Sequence, residues 1–596
     1  MIEYKKKLAH LVILVITINL YAQNPPPNKG YELLYEDNFD GDTLNTNDWA
    51  YRVGRRTGGG YINGVNLKKN VNLKDGALRI AVKHEIIDGQ YENTGGGVIS
   101  KLNFGYGYYE CLSKPFMAGT GVHTSFWQAS SLRENNNIFE IDSYEIDSKS
   151  KMGCNNLYVH LKTKEARVPW VHRAQVPYVA DKDGWILDAY EYTPNGVIFY
   201  DDGKIVAKAE WEGLTAQQAI WLTALNGVGK VDTAALPGES LFKYFRYYAK
   251  DYPGINLLPN GNFEYNQDAV NSNKPIAWTP SGDTSSINIV KGNSARDQYK
   301  LKISSDKNFD ASIQQKLEFI RNGEYILTAK VRSSCKVGTA KMSLNGIEYE
   351  VLIPKTKKWK HIELNGVKIS NNEAIISITA KGGPDDWIEI DDINFMKPVL
   401  KEQQVENNKK PFSLFKDEIW GLAYVEPIVF TGNDKFYFFD RIVGYGEAIS
   451  VAFTLKADKL ANMTPIARIP KNGNSGWSIG LSEEGSLIFR IGSQENHTDV
   501  IAKNVYAVDQ TCSIVCQYNK GTASVYLNGK MLKTVSGITQ NTLDATAAGK
   551  LGAAGSGYEA VSAVMQETEE KKKGTSQSRN FSGTMQQVKI YNHNLY

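Results

Sequence analysis

Apolar and polar residues alternate along most of this chain. Segments such as GALRIAVKH, GVIFYDDGK, EYILTAKVR, SLIFRIG and ASVYLNGKM repeat with a period of two, and Gly, Asn and Asp separate them. That period turns one face of a strand to a core and the other to water. YLNGK reads as a hairpin turn. Helical periodicity is weak throughout, so the pattern predicts an all-β protein. Three blocks carry it, at residues 31–252, 255–398 and 412–596, with a polar, charged linker at 399–411. The second block opens with INLLPNGNFE and closes with WIEIDDINF. Each block is long enough to bury its own core, and three tandem β-sandwich or jelly-roll domains are the simplest architecture.

The first 22 residues break the pattern. Lys5, Lys6 and Lys7 precede an apolar run from Leu8 to Ala22 that is short for a membrane span and ends on a small residue. This reads as an export signal, with an uncleaved anchor as the competing reading. A secreted or periplasmic protein follows, with no membrane span once the signal is removed. The formal net charge is +3, and the basic residues are scattered. Without a basic stripe and interleaved aromatics, a nucleic-acid partner is excluded. A monomer is expected. The five cysteines are too sparse for a disulfide scaffold, and no Cys/His cluster has zinc spacing. Cys512 and Cys516, four apart in an extended segment, lie roughly 13 Å apart, beyond disulfide reach.

The chemically loaded segment is NNIFEIDSYEIDS, residues 136–148, where Glu140, Asp142, Glu145 and Asp147 alternate with Ile138, Phe139, Ile141, Tyr144 and Ile146. In a regular strand Glu140 and Asp142 share a face, whereas Glu145, five residues from Glu140, points away. A one-residue β-bulge between Asp142 and Glu145 restores it to their face. Two carboxyls about 5–5.5 Å apart perform a retaining double displacement, one as nucleophile and the other as acid/base. A third acid between them helps separate their pKa values. The spacing alone is weak. Acids fill 65 of 596 positions, so three at a fixed spacing arise by chance about once in such a chain. A solvated acidic strand face and a calcium site are the rival readings.

The flanking blocks add specificity. FEIDSYE matches the E-x-D-x-x-E signature, in its β-bulge form, of glycoside hydrolase family 16. YEDNFDGDTLNTNDWAYRVG, NVNLKDGALRIAVKH, GGGVISKLNFGYGYYECLSKPFMAGTGVHTSFWQAS, YEYTPNGVIFYDDGKIV and IWLTALNGVGKVDTAALPGESLFKYFRYYAKDY resemble that family's other strands, in order. The resemblance covers residues 31–252 and implies a jelly roll with a substrate cleft across one sheet. It assigns Glu140 as nucleophile, Glu145 as general acid/base and Asp142 as the assisting carboxylate, with no cofactor for catalysis. It also points to Trp127, His160 and Trp170 as substrate-binding candidates, with Arg52 and His172 on the cleft rim. Competing structural roles are a core position for Trp127 and a satisfied strand histidine for His160. RENNNIF lacks the Trp that many family β-glucanases carry before the first catalytic Glu, so both β-glucans and algal galactans such as agar, porphyran and carrageenan are expected substrates. Gly184–Trp185 and Tyr192 also depart from the family pattern, at positions expected to touch substrate fit.

The second block resembles carbohydrate-binding modules of the family 4/9 type at its two ends, which implies a possible structural calcium at Glu264 and Asp391. Trp278, Trp359 and Trp387 are its sugar-binding candidates. The third block resembles laminin-G/concanavalin-like sandwiches through AISVAFTLKA, TASVYLNGKML and FSGTMQQVKIYNHNL. The expected function is a retaining endo-glycosidase that hydrolyses β-linked polysaccharide. An inactive carbohydrate-binding or adhesion protein, or a transglycosylase, are the alternatives.

Overall fold

The computed structural model describes residues 25–26, 29–58, 62–130, 138–148, 154–162, 170–177, 179–210, 215–264, 275–292, 299–336, 338–346, 349–399, 423–424, 427–431, 437–439, 448–468, 476–492, 496–539, 549–551 and 580–591. The segment read as an export signal and the stretch RENNN fall outside them. Antiparallel strands dominate, as the alternation predicts, and no described helix is long and apolar enough to cross a membrane.

Seventeen strands build the first block among the described residues. In chain order they are β1 (Glu32–Asp37), β2 (Trp49–Tyr51), β3 (Gly54–Gly58), β4 (Ile62–Asn66), β5 (Val71–Leu73), β6 (Leu78–Ile87), β7 (Gln90–Ser100), β8 (Gly107–Lys114) and β9 (Val122–Ser130). They continue with β10 (Ile138–Asp147), β11 (Cys154–Lys162), β12 (Trp170–Pro177), β13 (Ile186–Thr193), β14 (Gly196–Asp201), β15 (Lys204–Glu210), β16 (Gln218–Asn226) and β17 (Gly238–Ala249). One run of paired strands is β2-β7-β16-β9-β10-β11-β12. A second is β6-β17-β8-β13-β14-β15, with β1 beside β17 and β5 beside β6. Phe126, Ile141, Tyr144, Ile220 and Leu222 from the first run join Tyr109, Cys111, Tyr190, Phe242 and Phe245 from the second in one buried core. Trp49 is fully buried there, its indole N–H donating to Asp37 Oδ2 at 2.8 Å.

The glycines of TGGGVIS let β16 close on β7. A Cβ at Gly95 would lie 2.4 Å from Ala224 O, and one at Gly97 would lie 2.8 Å from Thr223 Cγ2. No side chain fits in either gap.

The strands of the second block form two five-stranded sheets around a core that includes Phe263, Leu301, Leu327, Ile378, Ile390 and Phe395. Those of the third form a seven-stranded and a six-stranded sheet among the described residues. Cys111, Cys335, Cys512 and Cys516 are buried free thiols.

The first two blocks meet in a tight joint. Phe319 stacks on Phe104 with ring centroids 4.8 Å apart and meets the edge of Tyr35 at 5.5 Å. Around this apolar centre Arg321 reaches Glu32 at 2.8 Å, Asp251 at 3.2 Å and the Gly30 carbonyl at 3.0 Å. Lys397 holds the other oxygen of Asp251 at 2.7 Å, and the Asn103 amide donates to Glu318. The ionic groups are partly exposed, so they stabilise little, whereas the aromatic stack removes apolar area from water. Phe319→Ala is therefore expected to cost about 2–3 kcal/mol and Arg321→Ala about 1 kcal/mol. Urea unfolding followed by tryptophan fluorescence checks the order; a larger loss for Arg321→Ala would contradict it.

Candidate active site

Strand β10 sets its acids by a break in parity. Phe139 and Ile141 point into the core, so Glu140 and Asp142 take the opposite face. Tyr144 and Ile146 are core residues again, so two residues rather than one separate Asp142 from Glu145 on the acid side. The ladders show where the extra residue lies. On β9, Asp142 pairs with Trp127 and Tyr144 with Phe126; on β11, Asp142 pairs with Tyr158 and Glu145 with Asn156. Both registers slip in the same place, and Ser143, 1% exposed, is the extra residue. The bulge that the spacing demands is present, and Glu140, Asp142, Glu145 and Asp147 share one face.

The neighbours on that face differ along the strand. Glu140 stands beside Ala129 on β9. Asp142 is 2% exposed and lies deepest. Glu145 stands between Ser125 on β9 and Asn156 on β11. His123, opposite Asp147 in the ladder, places Nε2 3.1 Å from Glu145 Oε1 and Nδ1 2.8 Å from Asp147 Oδ1. Burial alone would lower the His123 pKa, but the two carboxylates override it and push it up to about 10.

An aromatic floor lies beside the acids. Trp127 pairs with Trp221 across β9 and β16, and their indoles stack at 4.5 Å. Arg52 lies over both rings, its Cζ 4.9 Å from the Trp221 centroid and 5.5 Å from that of Trp127. Trp127 thus belongs to the acid-bearing sheet face, yet is 8% exposed beneath its partners. It is part of a floor rather than an open platform. Arg52, expected on the rim, lies on that floor.

The remaining sequence candidates are placed as follows. His160 is opposite Glu140 in the β10–β11 ladder, Trp170 opens β12 opposite Leu161, and His172 is opposite Val159. Their side chains lie outside the described residues. Tyr192 is fully buried, packs 4.7 Å from Tyr106 and accepts the Ala216 amide. Trp185 packs with Leu112, Leu187 and Tyr244 on the other sheet. Neither position touches the acid face, which corrects the expectation that these two changes bear on substrate fit; a strand's inward parity decides it in the case of Tyr192. In the second block Trp278 is core, whereas Trp359 and Trp387 flank Arg332. Glu264 Oε1 accepts from the Tyr299 amide and Asp391 Oδ1 from that of Asp392. Among the described residues, no group of three or more His, Cys, Asp or Glu side chains is arranged to hold a metal ion.

Sequence reading passed over His123 and Trp221. Period-two alternation from Trp127 puts His123 on the same face, but only the strand register shows that it meets Glu145 and Asp147.

Fold and acid strand together define the class: an all-β protein of tandem β-sandwiches whose first block carries its acids on one strand face. Comparison with known proteins gives the particulars. Residues 430–596 match the family described as the Concanavalin A-like lectin/glucanases superfamily. The chain is 25% identical over 252 residues to a beta-glucanase of Acetivibrio thermocellus, spanning 41% of this chain and 70% of that protein. It is 29% identical over 154 residues to beta-porphyranase D of Zobellia galactanivorans, spanning 21% of this chain and 35% of that protein. The catalytic domain of an endo-1,3-beta-glucanase (laminarinase) from Thermotoga petrophila aligns at 19% identity with a TM-score of 0.33, covering 38% of this chain and 100% of that one.

The raised His123 pKa has a stability consequence. A histidine that titrates near 6.5 when unfolded and near 10 when folded stabilises fully below pH 6.5, and that contribution is lost as pH rises toward 10. His123→Ala is expected to lose about 1–3 kcal/mol at pH 6 and to show a flatter decline in stability between pH 6.5 and 10. Urea midpoints measured across that range for both proteins check the sign; parallel curves would contradict it.

Proposed function

We propose that the first block is a retaining endo-glycosidase acting on β-linked polysaccharide. The observation that carries this reading is the bulge at Ser143, which brings Glu140, Asp142 and Glu145 onto one face of β10 beside the Trp127–Trp221 floor. Glycoside hydrolase activity is what the beta-glucanase and beta-porphyranase relatives indicate.

In this reading Glu140 attacks the anomeric carbon while Glu145 protonates the departing glycosidic oxygen. A glycosyl-enzyme ester on Glu140 results. Glu145, now ionised, takes a proton from water, which attacks the anomeric carbon and frees Glu140 with the original configuration. Asp142, buried between them, opposes further negative charge on this face. The Arg52 guanidinium on the indole floor offers hydrogen-bond donors to a sugar ring. Both β-glucan and algal galactan remain in the proposal. The protein is exported, and the second and third blocks hold the polymer near the site, raising its local concentration. A calcium at Glu264 and Asp391 would act structurally and enters no step.

Digestion of β-glucans, agars, porphyran and carrageenans, with product sizing and NMR of the first-formed anomer, tests the proposal. Internal cuts with retained β-configuration are expected. Glu140→Ala and Glu145→Ala should each lose at least about 1,000-fold in kcat, with azide restoring part of the Glu145→Ala activity as a glycosyl azide. Full activity in either variant would overturn the assignment. Binding without cleavage by wild type would favour the inactive carbohydrate-binding alternative. Transfer to an added sugar acceptor in preference to water would favour the transglycosylase.

A further inference from the structure

His123 is outside the E-x-D-x-x-E motif, yet it touches the proposed acid/base directly. Each of its ring nitrogens faces a carboxylate oxygen, Nε2 toward Glu145 at 3.1 Å and Nδ1 toward Asp147 at 2.8 Å. A neutral imidazole carries one N–H and would set a lone pair against the second carboxylate; the imidazolium donates at both ends. The arrangement is rigid. His123 is 9% exposed, and its neighbours Val122 and Thr124 are buried on the opposite face of β9. The groups flanking Glu145 in the ladders, Ser125 and Asn156, carry no charge. Glu140 and Asp142 on the same strand face are acidic, and His123 meets Glu145 with Nε2.

We propose that His123 is a positioning residue for Glu145: braced by Asp147, it holds Oε1 and so fixes the rotamer of the carboxyl that exchanges the proton with the glycosidic oxygen. The role rests on the reading of Glu145 as the acid/base. It makes Asp147, the fourth acid of the strand, part of the device instead of a solvated extra carboxylate. A proton donor must reach the leaving oxygen in the transition state, so fixing the carboxyl rotamer acts on the glycosylation step and not on ground-state binding.

Two measurements on the full chain test this. The first uses a polysaccharide that the wild type cleaves and a 2,4-dinitrophenyl glycoside of the same repeat, whose leaving group departs without a proton. His123→Ala is expected to lower kcat/KM on the polymer by about 10–100-fold, mostly in kcat, and on the dinitrophenyl glycoside by less than about 3-fold. His123→Gln, whose side-chain amide keeps a donor near the Nε2 position, should recover most of the loss. Equal losses on both substrates would show a merely structural residue, and no loss on either would show a bystander; both overturn the proposal. The second needs no substrate. Nitrogen-15 NMR of the protein labelled at its 8 histidines, assigned with His123→Gln, is expected to show both His123 nitrogens protonated at pH 8. A neutral ring there overturns the proposal even if the enzyme is active. A charged ring in a chain that cleaves nothing would sink the glycosidase reading, and the catalytic role of His123 with it, while leaving the bridged geometry standing.

Discussion

A β-strand shows its side chains to alternate faces, and one interruption of that rule organises the acid face. Phe139, Ile141, Tyr144 and Ile146 all need the core, and a regular strand cannot satisfy Ile141 and Tyr144 together. Ser143 absorbs the mismatch. The apolar residues therefore dictate where the acids stand. Burying four large side chains is worth several kcal/mol, far more than the cost of one slipped ladder pair, so the bulge is held by the core beneath it rather than by the acids above.

Gathering carboxylates on one strand has an electrostatic cost. Four acids within ten residues of one face repel one another, the more so where Asp142 is sealed from water. His123 offsets part of this at the Glu145–Asp147 end.

Much of this was legible in the amino-acid sequence. Alternation gave the strands, and the five-residue step from Glu140 to Glu145 called for the bulge. The ladder partners were not legible. His123 and Asp147 are 24 residues apart, and their contact depends on how β9 and β10 align, which local pattern does not encode. Trp127 was balanced between core and substrate roles because its burial comes from Arg52 and Trp221, each distant in sequence. Tyr192 was misread because a change from a family pattern says nothing about which face of its strand a residue occupies.

The joint between the first two blocks bears on how such a chain can be taken apart. A cut after Tyr252, where the chemistry-bearing block ends in sequence, would remove Phe319 from Phe104 and Tyr35 and open an aromatic patch to water. It would also leave Glu32 and Asp251 without Arg321. A unit that keeps this joint intact therefore runs at least through Lys397, and the divisions of the sequence are not the lines along which the molecule comes apart cleanly.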